Sequence, residues 1–298
     1  MLTMQVQLQG VFRATFINLA ELTTMPSFVI TGASRGIGYE FLRQFSSEPG
    51  NVVIGLVRNK LATDRKISED PTLKDRSNIH TFTVDITNYE HIQNSVSEVS
   101  KITGGSLDFL IANAGLVTPF DQFDGIGDLA DQAEQITKEL RDMFDVNVIG
   151  NIHLFNLFLP LIQKGEAKKI IAITSGYSDV ELTRVWDVTL APLYSASKAA
   201  LNMIMAKFSA QYRKDGILFL GLAPGQVDVG HNEEATPEQA GRFGAVFGRI
   251  VPQYAPTFKG LITPTESVSL MRRVIENAAV EKGYGGDFVS QFGNKQWL

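Results

Sequence analysis

Tyr194 and Lys198, in the stretch Tyr-Ser-Ala-Ser-Lys, stand four residues apart. On a helix that spacing sets a phenol and an ammonium on one face. A phenol ordinarily ionises near a pKa of about 10, so at neutral pH it exchanges protons poorly unless a positive charge stabilises its anion. Lys198 can supply that charge. The pair is a candidate acid-base centre. The same spacing also arises between unrelated surface residues, so its meaning depends on what else the chain carries.

Upstream, Thr31-Gly32-Ala33-Ser34-Arg35-Gly36-Ile37-Gly38 directly follows the apolar run Phe28-Val29-Ile30. Glycine is costly to order, and a bare turn is one explanation for three of them. The other is a bound phosphate. Where such a loop leaves a buried strand and opens a helix, its amides and the helix N-terminus converge on one anion site. Gly32 would then make the tight turn, Gly36 would admit a pyrophosphate to the backbone, and Gly38 would let the helix lie close on the sheet.

Charge selects the nucleotide. NAD calls for a carboxylate at the end of the second strand, whereas a 2′-phosphate calls for arginine. The chain reads Gly55-Leu56-Val57-Arg58-Asn59 there, with no acid, and Arg35 adds a second guanidinium from the glycine loop. NADP(H) is the expected cofactor. Read alone, Arg58 is equally well a solvated surface base.

Elements of two kinds must position these groups. Short β-rich runs recur at Phe28–Ile30, Val52–Val57, His80–Val84, Leu107–Ala112, Lys169–Thr174, Ile217–Leu222 and Asp287–Ser290, most of them apolar throughout, as strands covered on both faces are. Helical periodicity separates them, as over Gly36–Ser47 and Leu193–Tyr212. This alternation predicts an α/β fold: a Rossmann-type, doubly wound parallel sheet of about seven strands with helices on both faces, in a single domain over residues 26–298. Residues 1–25 are read as an N-terminal extension. Lys138–Gln163, apolar nearly all round from Val146 to Leu161, is central to the fold or a subunit contact. Gly225–Pro264, rich in glycine, proline and aromatics, with a helical piece near Pro237–Ile250, reads as a substrate loop over 226–264.

Composition excludes several function classes. With 27 basic against 32 acidic residues and a net charge of −5, nothing favours a nucleic acid or an anionic membrane. Absent cysteine removes disulfides and thiolate chemistry and fits a reducing, cytoplasmic location. His80, His91, His153 and His231 show no metal-ligand spacing, so no metal is expected. No apolar run reaches the roughly 20 residues of a membrane span, and residues 1–24 lack the pattern of a secretory signal.

Taken together, these motifs resemble the short-chain dehydrogenase/reductase family over essentially all of residues 26–293. The resemblance rests on the glycine loop, on Asp85 and Ile86 in Val-Asp-Ile-Thr, on Asn113-Ala114-Gly115 after the fourth strand, and on Asn147 in Asp-Val-Asn-Val-Ile-Gly. It also rests on Ser175 at the end of the fifth strand, on Tyr194 and Lys198, and on Pro224-Gly225 after the sixth. It implies that Tyr194 donates a proton to a carbonyl oxygen as hydride arrives, that Ser175 bonds that oxygen, that Lys198 lowers the phenol pKa and holds the nicotinamide ribose, and that Asn147 positions a relay water. It implies cofactor contacts from Asp85, Ile86, Asn113, Ala114, Gly115, Tyr194, Lys198, Pro224, Gly225 and the amide of Val227, beside Gly32, Ser34, Arg35, Gly36, Ile37, Gly38 and Arg58. A threonine common in the family is replaced by Val229.

Ser175 and Tyr194 lie farther apart than the family usually allows, so residues 178–188 are expected as an extra loop beside the pocket. Trp186, Phe243, Phe247, Tyr254 and Phe258 are the expected pocket walls, which favours a bulky apolar or aromatic ketone or aldehyde. The texture is similar to fungal members of the family that reduce ketones in secondary metabolism. The expected activity is NADPH-dependent carbonyl reduction. Oxidation of an alcohol with NADP+ and a non-catalytic NADP(H)-binding sensor are the alternatives, and a homodimer or homotetramer through the Val146–Leu161 and Leu193–Tyr212 helices is the expected assembly.

Overall fold

β-branched and aromatic side chains alternate between two faces along each central strand, and the two faces bury different helices. The computed structural model describes residues 25–230 and 235–298; the expected extension over residues 1–24 and His231 lie outside the described residues. In chain order the sheet and its first helices are β1 (Ser27–Thr31), α1 (Gly36–Phe45), β2 (Val52–Val57), α2 (Lys60–Glu69), β3 (Ile79–Thr83), α3 (Tyr89–Thr103) and β4 (Phe109–Ala112). There follow α4 (Ala133–Phe144), α5 (Gly150–Ile162), β5 (Lys169–Ile173), α6 (Val180–Trp186), α7 (Pro192–Tyr212), β6 (Leu218–Ala223), α8 (Pro237–Tyr254), α9 (Pro264–Asn277) and β7 (Phe288–Ser290).

All seven strands are parallel, in the order β3-β2-β1-β4-β5-β6-β7. The order reverses between β1 and β4, so the helices that follow them leave on opposite faces and open a crevice at the strands' carboxyl ends. On one face Ile30, Val53, Ile111 and Ile171 pack on Phe41, Phe45, Val268 and Met271 of α1 and α9. On the other, Val29, Ile54, Leu110 and Ile170 pack on Ile92, Phe155, Phe158 and Leu201 of α3, α5 and α7. Each such fully buried side chain contributes about 1.5–3 kcal/mol, which makes the sheet a rigid base for the loops at its carboxyl edge. All seven predicted strands form within a residue or two of their expected ends.

Two expectations change. Residues 178–188 are not a plain loop: Asp179 accepts the amides of Glu181 (2.8 Å) and Leu182 (3.2 Å), and this cap starts the seven-residue α6. The apolar path Ala133–Ile162 is long and apolar enough to match a membrane span by length and composition. Burial accounts for that apolarity, since Met143, Leu154, Phe155 and Phe158 are fully enclosed in the fold.

Candidate active site

The glycine loop turns on Gly32 and Gly36, both at positive φ (67° and 54°), where a side chain would be strained. Gly38 has a different reason to lack a side chain. A Cβ there would overlap the Gly32 carbonyl oxygen and Asn113 Nδ2 and come within 2.9 Å of the Gly32 carbonyl carbon. That close approach brings the N-terminus of α1 onto the loop, with Arg35 as its N-cap and no side-chain oxygen on its first amides. Asn113 closes the other side, its Nδ2 donating to Thr31 O (3.0 Å), while the amides of Asn113 and Ala114 donate to Thr31 Oγ1.

A cleft of about 350 Å³ results. Gly32, Ser34, Arg35, Gly36, Ile37 and Gly38 form one wall; Arg58, Asp85 and Ile86 follow from β2 and β3, and Asn113, Ala114 and Gly115 from β4. Val229 also lines it. Asp85 is held below its usual pKa, first by the Thr87 amide and hydroxyl that bond it, with Arg58 adding a favourable charge. Free helix amides, two exposed guanidinium groups and a carboxylate along one elongated cleft fit a dinucleotide. Pro224 and Val227 do not line this cleft. The Pro224 carbonyl accepts from Ser267 (2.7 Å), and the bridge between Val227 and Ile262 uses the amides of Asp228 and Ile262 rather than that of Val227.

At the far end, the four residues expected to act together come together. Tyr194 and Lys198 share a face of α7, with Lys198 Nζ 5.7 Å from the Tyr194 ring centre. Lys198 is 3% exposed, and its ammonium donates to Ile173 O (2.9 Å) at the end of β5. A Cβ on Gly115 would sit 3.1 Å from that Nζ and 3.2 Å from Asn147 Oδ1, so a side chain in the turn after β4 would crowd the lysine and the asparagine. Ser175, at the end of β5, accepts the Tyr177 amide (3.3 Å) and hydrogen-bonds the Tyr194 phenol.

Asn147 lies in a π-helical turn, Asp145–Ile149, between α4 and α5. Such turns recur at functional sites. Its side chain is fully used: Leu116 N–H donates to Oδ1 (2.7 Å), and Nδ2 donates to Leu116 O (2.9 Å) and Ser197 Oγ (3.0 Å). Asn147 therefore staples the β4 turn to α7, and its own carbonyl accepts from Asn151 Nδ2 (2.9 Å).

The electrostatics differ from expectation. Burial pushes the Tyr194 phenol up to about 12; the Ser175 bond lowers it, while the Tyr177 and Asp121 charges raise it further. Lys198, drawn into the same enclosed space, is pushed down to about 8 by burial. In the ligand-free chain the cost of enclosing each charge outweighs the help the lysine was expected to give.

Beside Ser175 a second cavity of about 30 Å³ is bounded by Gly176, Tyr177, Leu182, Val188, Gly225, Gln226, Phe247, Ile250, Trp297 and Leu298. Of the five expected aromatics, Phe247 lines it. Trp186 and Tyr254 face each other instead (ring centres 5.6 Å apart), Phe243 stacks on Phe247 (4.3 Å), and Phe258 lies 6.2 Å from Phe247. Sequence reasoning missed Tyr177, a partly buried residue beside Gln226 whose phenol is pushed up to about 12, chiefly by desolvation. It also missed Trp297, 4% exposed, which stacks on Phe288 (4.4 Å), donates Nε1–H to Asp179 (2.7 Å) and covers Gly176. No local pattern points to a tryptophan so far from the motifs; only the fold brings it there.

The sequence pattern of short chain dehydrogenases matches residues 27–240. The chain is 49% identical over 274 residues to the short chain dehydrogenase virK of Hypocrea virens, covering 92% of this chain and all of that protein. It is 46% identical to the short-chain dehydrogenase/reductase iacC of Pestalotiopsis fici, at the same coverage. The fold is similar to the carbonyl reductase Sniffer of D. melanogaster (TM-score 0.69, 21% identity, 91% of this chain and 98% of that one). It is also similar to an NADPH-bound carbonyl reductase from chicken fatty liver (TM-score 0.66, 23% identity, 91% and 98%). With a nucleotide cleft, a serine, a tyrosine and a lysine at one end of it, and these relatives, the chain belongs to the short-chain dehydrogenase/reductase family of oxidoreductases.

Proposed function

We propose that the protein is an NADPH-dependent carbonyl reductase that converts an apolar ketone or aldehyde to an alcohol. The observation that carries this reading is the partly buried Tyr194 phenol, set beside Ser175 with Lys198 Nζ 5.7 Å from its ring centre. The phenol is protonated at neutral pH, the form that reduction needs, but at about 12 it is a weak acid, so its proton transfer depends on positive charge brought close by Lys198. Ser175 holds the substrate oxygen and Tyr194 gives it a proton; the negative charge that grows on that oxygen is met by both donors. Lys198 stabilises the phenolate left behind and would hold the nicotinamide ribose. When bound, reduced nicotinamide adenine dinucleotide phosphate would supply the hydride.

Arg35 and Arg58, both exposed at the cleft, support a 2′-phosphate over a bare hydroxyl. The chicken protein, described with NADPH bound, has the same fold. Leu182, Val188, Phe247, Ile250 and Trp297 make the substrate wall apolar. At about 30 Å³ that cavity admits only a water-sized group, so a bulky substrate enters as α8 or residues 297–298 give way.

The test is NADPH oxidation over a panel of ketones and aldehydes, with Tyr194→Phe alongside. Turnover in the parent chain that falls roughly 10²–10⁴-fold in the variant, with NADPH affinity kept, supports the reading. Turnover that survives the substitution removes Tyr194 from its role, and tight NADPH binding without any turnover leaves a nucleotide-binding sensor.

A further inference from the structure

Asp121 lies between β4 and α4, far from the strands' motifs, and is 0% exposed. Its Oδ2 accepts the amides of Leu193 (2.7 Å) and Tyr194 (3.1 Å), and its backbone carbonyl accepts the amide of Ala191 (3.1 Å). These donors belong to the first turn of α7, the helix that carries the catalytic pair. That helix has no cap of its own: Ala191 at the N-cap offers no side-chain oxygen and adopts φ 53°, and Pro192 has no N–H. The amides that a local serine or aspartate normally satisfies are satisfied here from 72 positions away. A carboxylate at this end is also favoured by the helix dipole.

Two further observations concern the same carboxylate. Its second oxygen, Oδ1, is enclosed without a hydrogen-bond partner, so the group is more than a well-solvated cap. The next residues tie it to the substrate side: Arg242 of α8 donates to Phe123 O (3.0 Å) and pairs with Asp124 (2.7 Å). The groups acting on Asp121 from packed elements are Glu139 on α4 and the Tyr194 phenol on α7, and burial raises its pKa above the usual carboxylate value.

We infer that Asp121 is a positioning residue for the reaction: its carboxylate replaces the missing cap of α7 and thereby fixes where the Tyr194 phenol stands. Its charge acts on that phenol as well, since a neighbouring anion disfavours phenolate. The inference rests on Tyr194 as proton donor, and the two can fail separately.

The experiment compares Asp121→Ala and Asp121→Asn. Asparagine keeps one acceptor oxygen for the Leu193 and Tyr194 amides and removes the charge; alanine removes both. In cofactor-free protein the tyrosinate absorbance is titrated with alkali, and the Tyr194 contribution is isolated by subtracting Tyr194→Phe. The expected result is a Tyr194 midpoint lower in Asp121→Asn than in the parent. In turnover, Asp121→Ala loses roughly tenfold to a hundredfold in kcat with NADPH affinity kept, and Asp121→Asn recovers most of it. A midpoint unmoved by Asp121→Asn, or parental kcat in Asp121→Ala, overturns the inference. Should Asp121→Ala fail to fold, the asparagine titration alone decides. Should the parent reduce no carbonyl compound, the functional reading falls while the titration still judges the placement of the phenol.

Discussion

At the glycine-loop end of the cleft backbone meets backbone: Gly38 lies against the Gly32 carbonyl, and a Cβ on Gly32 would come within 3.0 Å of the Ala114 Cα. At the substrate end side chains meet side chains, with Trp297 on Phe288, Trp186 against Tyr254 and Phe247 under Phe243. The first kind of contact tolerates no added atom, because peptide groups cannot move aside without disturbing the sheet. The second can be repacked, because rotamers and a lid helix can adjust. One end is thereby fixed in shape, and the other can change its lining without disturbing the sheet.

The contrast can be broken most sharply at Trp297. Replacing this buried ring by alanine removes the contacts that join β7, α6 and Gly176, and should cost about 3–5 kcal/mol of stability. It should also raise the substrate KM while leaving the NADPH Kd, measured by calorimetry, unchanged. A matching loss of nucleotide affinity would mean that the two ends are coupled. Gly38→Ala sharpens the opposite side: its Cβ must displace the Gly32 carbonyl, at about 1–3 kcal/mol, and up to roughly a hundredfold of nucleotide affinity is the corresponding loss, with substrate selectivity unaltered in whatever turnover persists.

Arg58→Asp should weaken NADPH binding about tenfold relative to NADH; equal losses for both cofactors would contradict the assignment of the 2′-phosphate. The mildest test uses pH. Lys198 carries its charge below about 8 and loses it above, so kcat/KM for reduction should fall as pH rises through that value, while the phenol, protonated to about 12, contributes no limb there. A profile flat to pH 10 would detach the lysine from the proton transfer.

Much of this was legible along the chain, for local reasons. A buried parallel strand must be apolar throughout, and a glycine at positive φ or under a carbonyl cannot be exchanged, so β1 to β7 and the glycine loop leave marks in consecutive residues. Tyr194 and Lys198 are legible because one helical turn joins them. Trp186 and Tyr254 misled: their aromatic character suggested a substrate wall, but two apolar ring faces on neighbouring helices bury each other as readily as they bury a ligand. The phenol pKa misled as well, since a four-residue spacing reveals a nearby charge but not how deeply both groups are enclosed.

The sequence by itself determined the α/β alternation, the glycine turn at the N-terminus of α1 and the placing of Tyr194 and Lys198 on one helix face, because each depends on residues within a few positions of one another. Only the tertiary structure decided that Asp121 caps a helix 72 residues away, that Trp297 closes the wall beside Ser175, and that Asn147 spends its side chain holding Leu116 to α7. Those contacts join segments whose separation is set by the packing of whole helices on the sheet, and no local pattern encodes such a distance.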